Sequence, residues 1–217
     1  INFLKNKNDP RLPFFATLWQ GNVDPSQLPV TSAPDKQKGL PSGYDNTSIH
    51  TAVPSWTDSM YLDFSEINLH TLADMDAPSI FQRYAEVELL LAEAAIRGWD
   101  NGNAEVYYDN GVTAGMEMVK IYPGGFNIDP SSISGYLTAH PFLNSGSFDQ
   151  QMEQIGNQYW VLHFFSDCME AFSNWRRTGY PQITPTNYPG NLTGGVIPRR
   201  LLYPQSERVL NTDNYNA

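Results

Sequence analysis

The stretch SIFQRYAEVELLLAEAAIRGWDNG, residues 79–102, decides the fold class. Ile80, Tyr84, Val87, Leu91 and Ala94 recur at helical spacing, which predicts a helix over residues 79–97. Ala85, Ala92, Ala94 and Ala95 are small enough for a second helix to approach closely. Gly98 suits a left-handed cap just past the last helical turn, where a Cβ would be strained. A second helix is predicted over residues 104–121, with Tyr107, Gly111, Ala114 or Gly115, and Met118 facing inward. Two helices joined by so short a turn make an antiparallel hairpin, spanning residues 79–121.

The alternation of large and small apolar positions in this hairpin resembles one tetratricopeptide-like repeat. A single repeat cannot bury its own face, so partner repeats are expected elsewhere. Toward the carboxy terminus, residues 122–146 are rich in Gly, Pro and Ser and predict loop. Ser147-Phe148-Asp149-Gln150 then offers a capping box. Met152, Ile155, Tyr159, Leu162, Phe165, Met169 and Phe172 predict one long helix over 147–178, stopped by Gly179-Tyr180-Pro181. Residues 179–217 form a loop-rich tail with a short helix near 205–210. Toward the amino terminus, prolines 10, 13, 25, 29, 34, 41, 54 and 78 break up residues 1–78. Turns are expected at Asp9-Pro10 and at 22–25, and short strands at Phe14–Trp19 and Ser59–Phe64. The fold class is mainly α: a tetratricopeptide-like helical core carrying long ordered loops, with no domain boundary inside 1–217. Ordered loops of this length are usually functional.

Composition narrows the function. The formal net charge of −10 argues against a nucleic-acid backbone as partner. Aromatic residues make up 13% of the chain and charged ones only 17%, the opposite of a disordered segment. The single cysteine, Cys168, excludes an internal disulfide framework and is expected to be a buried small hydrophobe. His50, His70, His140 and His163 show no metal-ligand spacing, and His163 is expected in the core. Neither a metal nor another cofactor is implied. Glu86 and Glu93 share a helix face, but two helical turns separate them by roughly 10 Å. A glycosidase needs carboxylates about 5–9 Å apart across a sugar. They are expected to be solvated or hydrogen-bonded packing residues, and no catalytic residues are assigned. Arg176-Arg177 complement the end of the long helix and its free carbonyls, and Arg199-Arg200 sit in a proline-containing loop; internal forks onto carboxylates and carbonyls that hold the loops are expected ahead of anion binding.

The loop aromatics carry the binding expectation. Trp19, Tyr44, Trp56, Tyr61 and Tyr136 fall outside the helical stripes, among Asn, Asp, Ser and Gly. Such rings suit ligands with flat apolar faces and hydroxyl edges, of which sugars are the commonest. Residues 39–61 hold the densest mixture. The candidate ligand-binding residues are Trp56, Tyr44, Trp19, Tyr61, His50, Asn46 and Asp45.

Four stretches together resemble the SusD/RagB family of outer-membrane nutrient-binding lipoproteins. They are Asn8-Asp9-Pro10-Arg11-Leu12; Arg83–Val87 running through Leu91–Ala95 to Arg97-Gly98-Trp99; Glu170–Pro181; and Ile197-Pro198-Arg199-Arg200-Leu201 with Tyr203, Pro204, Glu207, Asn211, Asn214 and Tyr215. Their order matches from residue 8 to the end. Phe172 stands where the family often has Trp. The resemblance implies the carboxy-terminal half of a longer helical-repeat protein whose amino-terminal half lies outside residues 1–217. It implies a glycan ligand, a lipid anchor outside this chain on the outward face of the outer membrane, and a SusC-like TonB-dependent transporter as partner. Capture and delivery, not chemistry, is the expected role. The rivals are a peptide or other nutrient binder of the same type of system, a glycosidase, and a repeat adaptor that binds only protein.

Overall fold

Asp9 and Arg11 turn the chain between two short helices, α1 (Asn2–Asn6) and α2 (Leu12–Phe15). Pro13 sits in the first turn of α2, where its missing N–H costs nothing. Three short strands follow: β1 (Ala16–Trp19), β2 (Val30–Thr31) and, after helix α3 (Ile49–Ala52) and a 3-10 helix (Asp58–Asp63), β3 (Glu66–Ile67). They form an antiparallel sheet in the order β2-β1-β3, with Leu18 opposite Thr31 and Thr17 opposite Glu66. The first predicted strand is therefore shorter than expected, because Leu12–Phe15 completes a helical turn. The second, predicted at Ser59–Phe64, is the 3-10 helix, and the strand lies just beyond it.

The helical hairpin is present as α4 (Tyr84–Ile96) and α5 (Ala104–Glu117), the latter extended by a 3-10 turn at Met118–Ile121. Gly98 has φ +70°, and the N–H groups of Gly98 and Trp99 bond Ala95 and Ala94 carbonyls at 3.0 and 2.9 Å. This is a Schellman end. Asn103 caps α5 by accepting from Glu105 and Val106 N–H. The inward stripe differs from the expected one. Ala85, Leu89 and Ala92 are the apolar residues buried on α4, while Tyr84 is exposed. On α5, Tyr108, Val112 and Met116 lead the packing, with Gly111 at the closest approach: a Cβ there would meet Leu89 Cγ at 2.9 Å.

Residues 130–139, expected as loop, form α6 (Pro130–Ala139), with Asp129 as N-cap and Pro130 at its first position. Tyr136 is thus a core residue of a helix, not a loop ring. The long helix expected over 147–178 is two helices, α7 (Phe148–His163) and α8 (Cys168–Thr178). The capping box at Ser147 and Gln150 is formed. The chain breaks at 164–167, where Phe165 adopts φ +62° and Asp167 caps α8 by accepting from Glu170 N–H. Cys168, at the start of α8, is exposed, contrary to expectation. Two short helices, α9 (Gln205–Leu210) and α10 (Thr212–Tyr215), close the chain, the first where it was expected.

These elements come from a computed structural model that describes residues 1–19, 30–41, 43–183, 185, 188, 190–200 and 203–216. The turn expected at 22–25 and Leu201 of the closing motif lie outside them. Two compact units result: Ile1–Pro41 with Ser55–Ile183, and Ser42–Pro54 with Thr184–Ala217. The first contains α4 to α8 and two hydrophobic cores. One joins Leu89, Tyr108, Met116, Tyr136, Ile155 and Tyr159; the other joins Leu12, Phe14, Phe15, Leu72, Tyr122 and Val161. No helix among the described residues is long and apolar enough to cross a membrane.

Candidate ligand-binding site

The seven candidate residues divide between the two units. Trp19, Trp56 and Tyr61 belong to the first, where they gather around residues 58–67. Trp56 is half-buried, its ring 5.8 Å from that of Phe64, and Lys38 Nζ stands 4.3 Å from the centre of the Phe64 ring. Lys38 and Ser65 are tied by two hydrogen bonds of 2.8 Å, which hold this edge together. Tyr61 lies in the 3-10 helix and is 58% exposed, so its ring is open to a ligand. Trp19 ends β1 and donates its indole N–H to Glu66. Burial raises the Glu66 carboxyl above its usual range, and the Trp19 bond partly offsets this.

Tyr44, Asp45, Asn46 and His50 belong to the second unit. Tyr44, Asn46 and His50 are exposed. Asp45 is committed to its own turn: its Oδ1 accepts from Thr47 N–H, Ser48 N–H and Ser48 Oγ at 3.1, 2.7 and 2.6 Å. The Ser48 hydroxyl and amide hold its carboxyl below the usual range. Asp45 therefore shapes the loop, and Oδ2 is what remains for a hydroxyl ligand.

The residues of the four sequence motifs do something different. Arg11, fully buried, pairs with Asp9 at 2.6 Å and donates to Gln158 Oε1 at 2.8 Å, while Gln158 donates to the Tyr136 hydroxyl. Burial penalises this guanidinium, and the Asp9 charge and hydrogen bond overcome the penalty, leaving its pKa raised. Arg177 forks onto both oxygens of Glu93 at 2.6 Å, and Arg97 adds a third bond at 2.7 Å. Burial pushes the Glu93 carboxyl up, but the two arginines outweigh it and hold it low. Glu86 accepts from Tyr159, whose hydroxyl also lies 3.0 Å from Glu170. That phenol thus stands between the Glu86 and Glu170 carboxylates. His163 is buried, stacked on Tyr159, with Nδ1 3.3 Å from Arg83. Burial, and then the Arg83 charge, lower its pKa to about 4, so it is neutral near pH 7. His163 is thus a core histidine, its Nε2 without a hydrogen-bond partner among the described residues, and Glu86 and Glu93 are buried packing residues, not solvated ones.

A cavity of about 630 Å³ opens in the first unit between residues 72–81 and the turn at 165–167. Phe81, Phe165, Asp74 and Asp167 are on its wall, and none of the seven candidate residues is. Sequence patterning missed it because Phe165 was placed inside a continuous helix. The pairing of Asp167 with Glu170 three residues on, an N-terminal capping pattern, was the available signal.

Comparison with known proteins adds the biological context. A family model for SusD-like proteins, described as starch-binding associating with outer membrane, matches residues 1–204. No curated protein matches. Among solved structures, a chitin-binding protein is similar at 33% identity and a TM-score of 0.73, over 99% of this chain and 44% of its own. A SusD homolog from Bacteroides fragilis is similar at 26% identity and a TM-score of 0.75, over 99% and 46%. A Bacteroidetes SusD-like protein matches at 25% identity and a TM-score of 0.72, over 99% and 48%. The chain thus spans less than half the length of these relatives.

Proposed function

The chain belongs to the SusD-like family, and from that premise we propose that it captures glycan at the outer membrane and hands it on without chemistry. The observation that carries this reading is the 33% identity, along 99% of the chain, to a chitin-binding protein. The open rings of Tyr44, Tyr61 and half-buried Trp56 support it. Rings held on a packed scaffold stack on sugar faces at little ordering cost, and the exposed Asn46 and His50 take hydroxyls. Each contact is modest, so a short oligosaccharide binds weakly and several stacked rings add affinity.

In this reading residues 1–217 are the carboxy-terminal region of a longer protein. The α4–α5 hairpin is one tetratricopeptide-like repeat, and further repeats lie in an amino-terminal half outside this chain, together with a lipid anchor. The outward-facing lipoprotein acts as a lid over a SusC-like TonB-dependent transporter. The exposed Phe81, Tyr84 and Met169 fit an apolar face that such a half would cover.

The test is calorimetry of the full-length protein with chitohexaose and with soluble starch, alongside Tyr44→Ala and Tyr61→Ala. Saccharide binding without product, weakened by either substitution, supports capture through the ring removed. Absence of saccharide binding moves the reading to a peptide or other nutrient, and release of cleaved sugar makes the protein an enzyme.

A further inference from the structure

Trp99 is the residue that the glycan reading of residues 39–61 leaves unused. It stands just past α4 and is 73% exposed. Its backbone is fixed: Trp99 N–H bonds Ala94 O at 2.9 Å, and Gly98 before it holds a left-handed φ of +70°. Its ring meets one cation. The Arg97 guanidinium lies 5.1 Å from the Trp99 ring centre and 5.0 Å from that of Phe148. Arg97 in turn is held at 2.7 Å by Glu93, a nearly buried carboxylate that Arg177 grips with two further bonds. The chain of restraint runs from the interior to a surface ring.

The plain reading of an apolar residue at this position is contact with the last turn of the helix, which often accompanies a Schellman end. Such a contact accounts for a side chain that packs down. It does not account for a tryptophan with almost three quarters of its surface in water. Phe148, also exposed, extends the same patch through the shared arginine. Asp100 and Asn103 follow in the chain but spend an oxygen on the turn, accepting from Gly102 N–H and from the first N–H groups of α5.

We propose that Trp99, ordered by Arg97 and extended by Phe148, is a second saccharide-stacking platform, distinct in sequence and setting from residues 39–61. Its ligand class is a neutral, polyhydroxylated sugar chain. The cation on one face of the indole is already matched by Glu93, and the rest of the ring is open. A ring whose backbone is held and whose face meets a tethered cation loses less freedom when a sugar stacks on it. Two such platforms on one protein serve a long chain better than a short one, since the second contact is made at high effective concentration.

This inference rests on the glycan reading, and the experiment separates the two. Full-length wild-type protein, Trp99→Ala, Trp99→Phe and Trp56→Ala are titrated with chitohexaose and run in affinity gels with soluble starch, with melting temperatures taken in parallel. Trp99→Ala is expected to weaken binding about tenfold, the scale of one aromatic contact. Trp99→Phe, which keeps a ring, should retain most of the affinity. Wild-type affinity in Trp99→Ala, with Trp56→Ala impaired, overturns the platform and leaves the glycan reading standing. So does a loss in Trp99→Ala matched by an equal loss in Trp99→Phe and a lowered melting temperature, which marks Trp99 as a packing residue. No binding of either saccharide by the wild type overturns both.

Discussion

Arg11 and Tyr61 lie in the same unit and live under opposite rules. Arg11 is 2% exposed, with Asp9 and Gln158 taking its donors, and it joins the amino-terminal turn to α7. Tyr61 is 58% exposed on a single 3-10 turn. The same contrast separates Arg177 and Glu93 from Tyr44 and His50. Arg11, Arg177 and Glu93 of the family motifs carry charges that would be costly if left unpaired, and each pair is tied to a distant part of the chain, Arg11 through Gln158 and Glu93 through Arg177. Tyr44, Tyr61 and His50 are exposed instead, and little but local turn chemistry constrains their identity. These paired charges of the motifs therefore reveal architecture and stay silent on specificity.

That contrast can be broken by mutation. Arg11→Ala leaves Asp9 as a buried, unpaired carboxylate and should cost about 3–5 kcal/mol of stability, read by denaturant unfolding. A loss below roughly 1 kcal/mol would mean that the pair is no more structural than a surface bridge. His163 gives a pH signature. Its folded pKa, about 4, lies below the ordinary value of 6.5. The unfolded state binds the proton first, so the neutral-pH stability is lost as pH falls from 6.5 toward 4. The full effect is up to about 3 kcal/mol. His163→Gln should flatten that acid limb; an unchanged limb would locate the acid sensitivity elsewhere. Gly111→Ala pushes a Cβ against Leu89 and the Ala85 carbonyl and should cost about 1–3 kcal/mol in thermal unfolding. At the other extreme, Tyr61→Ala should stay within about 0.5 kcal/mol of wild type. A large loss there would show that the ring is a core plug.

Much of the helical hairpin was legible because its punctuation is local. Gly98, the Asn103 cap and the Ser147–Gln150 box each act within four residues. The inward face of α4 was not legible, since Leu89, Leu90 and Leu91 are consecutive and leave its phase undecided. Nor was the burial of three glutamates, because their partners lie far along the chain: Tyr159 is 73 residues from Glu86, Asn110 is 22 from Glu88, and Arg177 is 84 from Glu93. Helix α6 was lost to its serines and Gly135, which have low helix propensity, although Asp129-Pro130 announced its start. The break before α8 was masked by an apolar stripe that continues in phase, with Phe165 and Met169 exposed where that stripe placed them inside. At the candidate site, the residue types pointed to sugar, and Tyr44, Tyr61 and His50 are indeed exposed. The Asp45-Asn46-Thr47-Ser48 run held a local Asx-turn signal that Asp45 would serve its own turn, whereas Glu66, 47 residues from Trp19, gave none of their contact.

The most direct test of the division between locked scaffold and open loops is a paired measurement on Trp56→Ala in the full-length protein: calorimetric affinity for chitohexaose and soluble starch, and melting temperature, each beside wild type. Weakened saccharide binding at an unchanged melting temperature is the expected result. An unchanged affinity with a melting temperature lowered by several degrees would place Trp56 with the scaffold and contradict the assignment of ligand contact to these loops.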